Sequence, residues 1–135
     1  MHPTPYEEIE HTADWALRVR GVTLESLFEH AAQGMLSLLE PGYLDSSPTG
    51  RSLELSAIDL ETLLVSWLEE LLFLIETEKI GFQNYAIRIE GTSLEASFES
   101  VPIESIKKDI KAVTYNELEI VHDQEGYRTT IVFDV

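Results

Sequence analysis

The side chains of this 135-residue sequence that could move a proton or hold a metal are its four histidines and 25 acids; there is no cysteine. Only His11 among the histidines stands beside other reactive types, in the stretch His-Thr-Ala-Asp at positions 11–14. Asp and Thr side chains hydrogen-bond nearby main-chain amides and hold chain reversals, so Thr12 and Asp14 read first as a turn ahead of a hydrophobic strand. Most of the acids must be solvated, and position has to select among them. The sequence stops at Val135, one residue after Asp134, which sets an α-carboxylate beside a side-chain carboxylate. Where the last strand lies near Asp14, three carboxylates converge, an oxygen-only set suited to Ca²⁺, Mg²⁺ or Mn²⁺ rather than to thiophilic metals. Alone, Asp134 reads as an ordinary surface acid.

The remaining candidates are bland. His30 falls within a helical pattern and reads as a surface or boundary residue, and His122 lies beside a hairpin loop. There is no glycine-rich phosphate cradle, no serine nucleophile elbow and no histidine pair at helical spacing. The absence of cysteine removes disulfides, thiolate nucleophiles and zinc–thiolate sites.

Nine Lys and Arg against 25 Asp and Glu give a net charge of -16. Such a surface repels phosphate backbones, so direct, stable nucleic-acid binding is not expected. It attracts a basic protein or a cation, or serves solubility alone. The start lacks a basic region followed by an apolar run, and the most apolar stretch carries Glu69 and Glu70, so the reading is a cytoplasmic protein without a membrane span.

The elements that must position these residues follow from periodicity. Residues 6–11 and 15–21 read as two short strands, the second alternating Trp15, Leu17 and Val19 with Ala16, Arg18 and Arg20. From Thr23 as N-cap to about Glu40, apolar residues recur at three and four, which predicts an amphipathic helix. A loop-like stretch follows to Gly50, then a strand around Leu53, Leu55 and Ala57. Asp59 caps a long helix to about Lys79, striped by Leu60, Leu63, Leu64, Trp67, Leu68, Leu71, Leu72 and Ile75, with Trp67 read as core packing.

The second half is mostly strand: a hairpin through Tyr85 to Phe98 turning at Gly91, Thr92 and Ser93, interrupted at Pro102, then "KAVTYNELEIV" and "YRTTIVFDV" as a second pair. In the last strand Ile131, Phe133 and Val135 share one face; Thr130, Val132 and Asp134 share the other, away from the main core. The fold class is α+β, one domain over residues 1–135, a largely antiparallel sheet covered by two amphipathic helices.

The stretches "YEEIEHTAD", "LLVSWLEELLFLIETE", "KAVTYNELEI" and "GYRTTIVFDV" together resemble the archease family over almost the whole chain. The resemblance implies a two-layer α/β sandwich. It also implies a non-catalytic accessory protein of RtcB-type RNA ligases, the GTP-dependent enzymes of tRNA splicing and RNA repair, which promotes guanylylation of the ligase histidine and multiple turnover. Carried over by motif, Asp14, Asp134 and Val135 bind a divalent cation, described in the family as calcium, with Val135 offering backbone oxygens only. Lys111, opening "KAVTY", falls at a position tied to ligase activation. Asn116 departs from the family pattern, in which His follows "TY", and cannot do the work of an imidazole.

Two rival readings come from other classes. A metal-dependent hydrolase would place Asp14 and Asp134 on an ion that activates water, with His11 as general base. A broader chaperone or interaction module would use the acidic face to hold partners. The oligomeric state is not fixed by the sequence.

Overall fold

The computed structural model describes residues 4–10, 15–116 and 118–135. Among them the order is β1 (Tyr6–Glu10), β2 (Trp15–Gly21), α1 (Leu24–Leu38), β3 (Gly42–Tyr43), β4 (Thr49–Ser56), α2 (Leu60–Glu78), β5 (Ile80–Glu90), β6 (Ser93–Ser105), β7 (Ala112–Val113), β8 (Val121–Asp123) and β9 (Gly126–Asp134). The α+β class is as expected, but the strands divide between two sheets. One runs β1-β2-β9-β7 with β8 also on β9; the other runs β3-β6-β4 with β5 also on β6, and every pairing is antiparallel.

Local chemistry starts both helices where the sequence places them. Thr23 Oγ1 accepts from the Ser26 amide at 3.0 Å while Ser26 Oγ accepts from the Thr23 amide at 3.0 Å, a reciprocal cap. Asp59 accepts from the Thr62 amide at 2.7 Å, and Lys79 closes α2 in the left-handed region, its amide donating to the Ile75 carbonyl. Trp67 is fully buried, and its indole N–H donates to the Phe28 carbonyl at 3.0 Å, joining α2 to α1. The ring also meets Phe98 of β6 edge-on at 6.2 Å. One apolar core thus holds α1 and α2 together with inward residues of both sheets, Leu17, Val19, Ile131 and Phe133 from one and Leu94, Ala96 and Phe98 from the other.

Three local readings are corrected. Pro102 does not interrupt its strand: β6 continues through it to Ser105. Pairing with β4 ends at Ser100 and pairing with β3 begins at Ile103, so the proline falls where the neighbour changes, and its carbonyl still accepts from Leu44 at 3.0 Å. The stretch 41–50 is not wholly loop, since it holds β3 and the start of β4.

"KAVTYNELEIV" is not one strand. Only Ala112–Val113 and, further on, Val121 pair with β9. Between them the Asn116 amide turns back to Thr114 Oγ1 and the Leu118 amide to the Tyr115 carbonyl, which takes these residues out of the ladder. As the alternation predicts, Val132 lies on the side of β9 away from the main core; there it faces Ala16 of β2, and both are buried.

Candidate functional site

β9 is the strand on which the site depends. It lies between β2 and β7, with Trp15 of β2 opposite Phe133 and Ala112 of β7 opposite Asp134. Outside β7 proper, the Lys111 amide donates to the Asp134 carbonyl at 2.8 Å, and Thr114 gives both its amide (3.0 Å) and its hydroxyl (2.9 Å) to the Val132 carbonyl. The main chain of β9 is therefore tied down to its last residues. The Asp134 side chain is exposed, and Val135 is 37% exposed.

The Asp134 carbonyl accepts from Lys111, and the Asp134 carboxylate and the Val135 main chain offer further oxygen donors here. Asp14 and His11, and the turn read at residues 12–14, lie outside the described residues. β2 starts at Trp15, the residue after Asp14 in the sequence, and Trp15 faces the residue before Asp134. No group of three or more His, Cys, Asp or Glu side chains able to hold a metal occurs among the described residues. The donor types nevertheless fit a hard cation, because every one of them, Asp14 included, is an oxygen.

Lys111 is exposed, and its main chain rather than its ammonium is what touches Asp134. Nearby in the sequence, Lys108 sits over the Trp15 ring, 5.2 Å from its centroid, and pairs with Glu40 at 3.1 Å. One cationic side chain, Lys108, thus lies at the start of β2. Asn116 is exposed in the turn beyond β7.

Sequence reasoning missed three acids that act on the main chain. Glu25 of α1 accepts from the Ile89 amide at 3.1 Å, Glu61 of α2 from the Ile120 amide at 3.0 Å, and Glu69 of α2 from the Val113 amide at 2.9 Å. Glu25 and Glu69 stand where a neighbouring strand would otherwise supply a carbonyl to β5 and β7, and Glu61 satisfies an amide just ahead of β8. Nothing in residue type or local spacing separates these from the other acids.

A concavity lies at the far end of the β2–β9 pair from Asp134. It is a cavity of about 220 Å³ lined by Arg20, Val22, His30, Glu125, Tyr127 and Arg128 among others. His30 Nδ1 lies 2.6 Å from the Arg20 carbonyl, so that nitrogen carries the proton; His122 stacks on Tyr127 with ring centroids 4.0 Å apart. Both histidines have structural partners, in keeping with their sequence reading.

Against known proteins, residues 6–135 match the model of the Archease protein family. The chain belongs to the archease family. It is 36% identical to the protein archease of Methanosarcina barkeri, the match covering 96% of this chain and 95% of that one, and 36% identical to that of Thermococcus gammatolerans over 90% and 91%. Solved structures share the fold. A crystal structure of an archease from Thermotoga maritima superposes with a TM-score of 0.72 at 24% identity, covering 100% of this chain and 99% of that one. A solution structure of a Methanobacterium thermoautotrophicum protein does so with a TM-score of 0.69 at 27% identity, over 97% and 99%. The family read from the four sequence stretches is the family these matches give, and its α+β architecture is the one described above. Among the described residues, no helix is long and apolar enough to cross a membrane.

Proposed function

We propose that this protein is a cytoplasmic accessory activator of a GTP-dependent RtcB-type RNA ligase in tRNA splicing and RNA repair. It promotes guanylylation of the ligase histidine and multiple turnover, and has no catalytic turnover of its own. Family membership carries this reading. The register that sets Trp15 opposite Phe133 supports it locally, because Asp14 and Asp134 are the sequence neighbours of that pair.

Asp14, Asp134 and Val135 hold a divalent cation through oxygens alone, Ca²⁺ first and Mg²⁺ or Mn²⁺ as substitutes. The bound ion supplies positive charge that lets an acidic protein approach nucleotide phosphates. The chain's own residues do the rest. β9 keeps Asp134 at an exposed sheet end, and Lys111 lies beside it for contact with the ligase. A net charge of -16 favours a basic face on the partner over the RNA itself.

The Thermotoga relative is described as a possible chaperone, and a general chaperone role is the second reading. RNA joining with substrate in excess over ligase separates the two. This protein should carry the ligase past its first turnover, and Asp14→Ala or Asp134→Ala should abolish that effect with folding intact. Suppression of aggregation of unrelated proteins without ligase stimulation would favour the chaperone. Hydrolysis of nucleotide or RNA by this protein alone would favour a hydrolase.

A further inference from the structure

We propose that Glu69 is a positioning residue for the cation end of the molecule: from α2 it fixes the Val113 amide and so holds β7 against Asp134. The inference rests on the reading of Asp134 as a cation ligand. β7 is two residues long, too short to be held by its own ladder, and it is the neighbour of β9 at Asp134. Lys111 and Thr114 give their amides to β9, whereas Val113 gives its amide to Glu69 Oε1 at 2.9 Å. Val113 is 5% exposed, and an amide buried there without an acceptor would be unfavourable. Glu69 therefore clamps β7 from the side that β9 does not reach. β9 in turn receives the Lys111 amide on the carbonyl of Asp134 itself.

Glu61 provides a built-in comparison. It lies two turns earlier on the same helix and makes the same kind of contact, to Ile120 at 3.0 Å. The segment it holds meets β9 through the Glu119 carbonyl, which accepts from Thr129 Oγ1, well back from Asp134. A general loosening of α2 would affect both contacts; of the two acids, only Glu69 reaches the strand that neighbours Asp134.

The test is Ca²⁺ titration by calorimetry, with amide exchange at Val113 followed in parallel, on the full chain and on Glu69→Gln, Glu69→Asp, Glu61→Gln, Glu61→Asp and Asp134→Asn. Glu69→Gln keeps an acceptor oxygen at the same reach and loses the charge; Glu69→Asp keeps the charge and loses the reach. Expected is near wild-type affinity and slow Val113 exchange for Glu69→Gln. Glu69→Asp should show fast exchange and roughly 10-fold weaker Ca²⁺ binding, the scale on which partners behind a metal ligand act. Both Glu61 variants should bind Ca²⁺ as the wild type does. Weaker binding by Glu69→Gln than by Glu69→Asp would mean that charge alone matters and would overturn the inference, as would wild-type affinity in both. Equal weakening by Glu61→Asp and Glu69→Asp would overturn it too. Wild-type affinity in Asp134→Asn would remove the underlying reading together with the inference.

Discussion

Trp15 and Phe133 face each other across β2 and β9, and each is the sequence neighbour of an acid, Asp14 before the first and Asp134 after the second. This pair connects the start of one strand to the end of another in a single register. For a cation held by both acids, Asp14→Asn and Asp134→Asn should each weaken Ca²⁺ binding by about 10-fold or more, since each removes a charged oxygen ligand. Asp134 is exposed, so its replacement should leave stability within about 0.5 kcal/mol. Calorimetric titration with a thermal melt on each variant checks both statements.

Trp67 fills the centre of the core and joins the helices through the Phe28 carbonyl. Trp67→Ala should cost about 3–5 kcal/mol in chemical denaturation. Trp67→Phe should lose less, because it keeps an aromatic ring against Phe98 and gives up the hydrogen bond.

Tyr85 carries a buried hydroxyl with no protein partner among the described residues, and burial raises its pKa above the ordinary tyrosine value. A raised folded pKa contributes stability that is fully present below the unfolded value near 10 and is lost as pH rises beyond it. Tyr85→Phe should therefore flatten the alkaline loss. At neutral pH it should stabilise the protein, by up to about 1 kcal/mol, by removing an unpaired polar atom. Urea denaturation of both proteins at pH 7 and above pH 10 measures it.

Asp59 has its pKa lowered by the hydrogen bond from Thr62 at the start of α2. A lowered folded pKa gives stability above the ordinary carboxylate range that is lost as pH falls through the folded value. Asp59→Asn keeps the capping acceptor and cannot titrate. The advantage of wild type over Asp59→Asn should be constant at neutral pH and shrink below about pH 4. Paired thermal melts across that range test the sign.

Gly126 closes the two-residue turn between β8 and β9 at φ +121°, and a Cβ there would lie 2.6 Å from the Gly21 carbonyl oxygen. Gly126→Ala should destabilise by about 1–3 kcal/mol, from backbone strain and a contact that only main-chain movement can relieve. A Gly91→Ala control has a similar sign of φ but open space around it, and should lose less in the same denaturation series.

The helices were legible because their signals are local: Thr23 and Asp59 cap them within one turn, and the stripes through Phe28 and Trp67 recur at helical spacing. The Gly91 turn was legible for the same reason. What escaped depends on distant neighbours. Pro102 is tolerated because of where β3 and β4 fall along β6, and the segment after Thr114 leaves the ladder because Thr114 Oγ1, the Tyr115 carbonyl and Glu61 of α2 accept its amides. Glu25, Glu61 and Glu69 find their amides 64, 59 and 44 residues away, a separation that periodicity does not encode. At the candidate site, the face on which Asp134 lies followed from alternation in the last strand; its exposure did not, since Val132 on the same face is buried. The pairing of β2 with β9, which relates it to Asp14, did not.

Transfer of GMP from GTP onto the active-site histidine of an RtcB-type ligase tests the proposed function most directly, measured with and without this protein at several Ca²⁺ and Mg²⁺ concentrations. Expected is faster and more complete guanylylation with the wild-type chain, and none of that gain with Asp14→Ala or Asp134→Ala. A ligase guanylylated equally well without this protein, or stimulated fully by both variants, would contradict it.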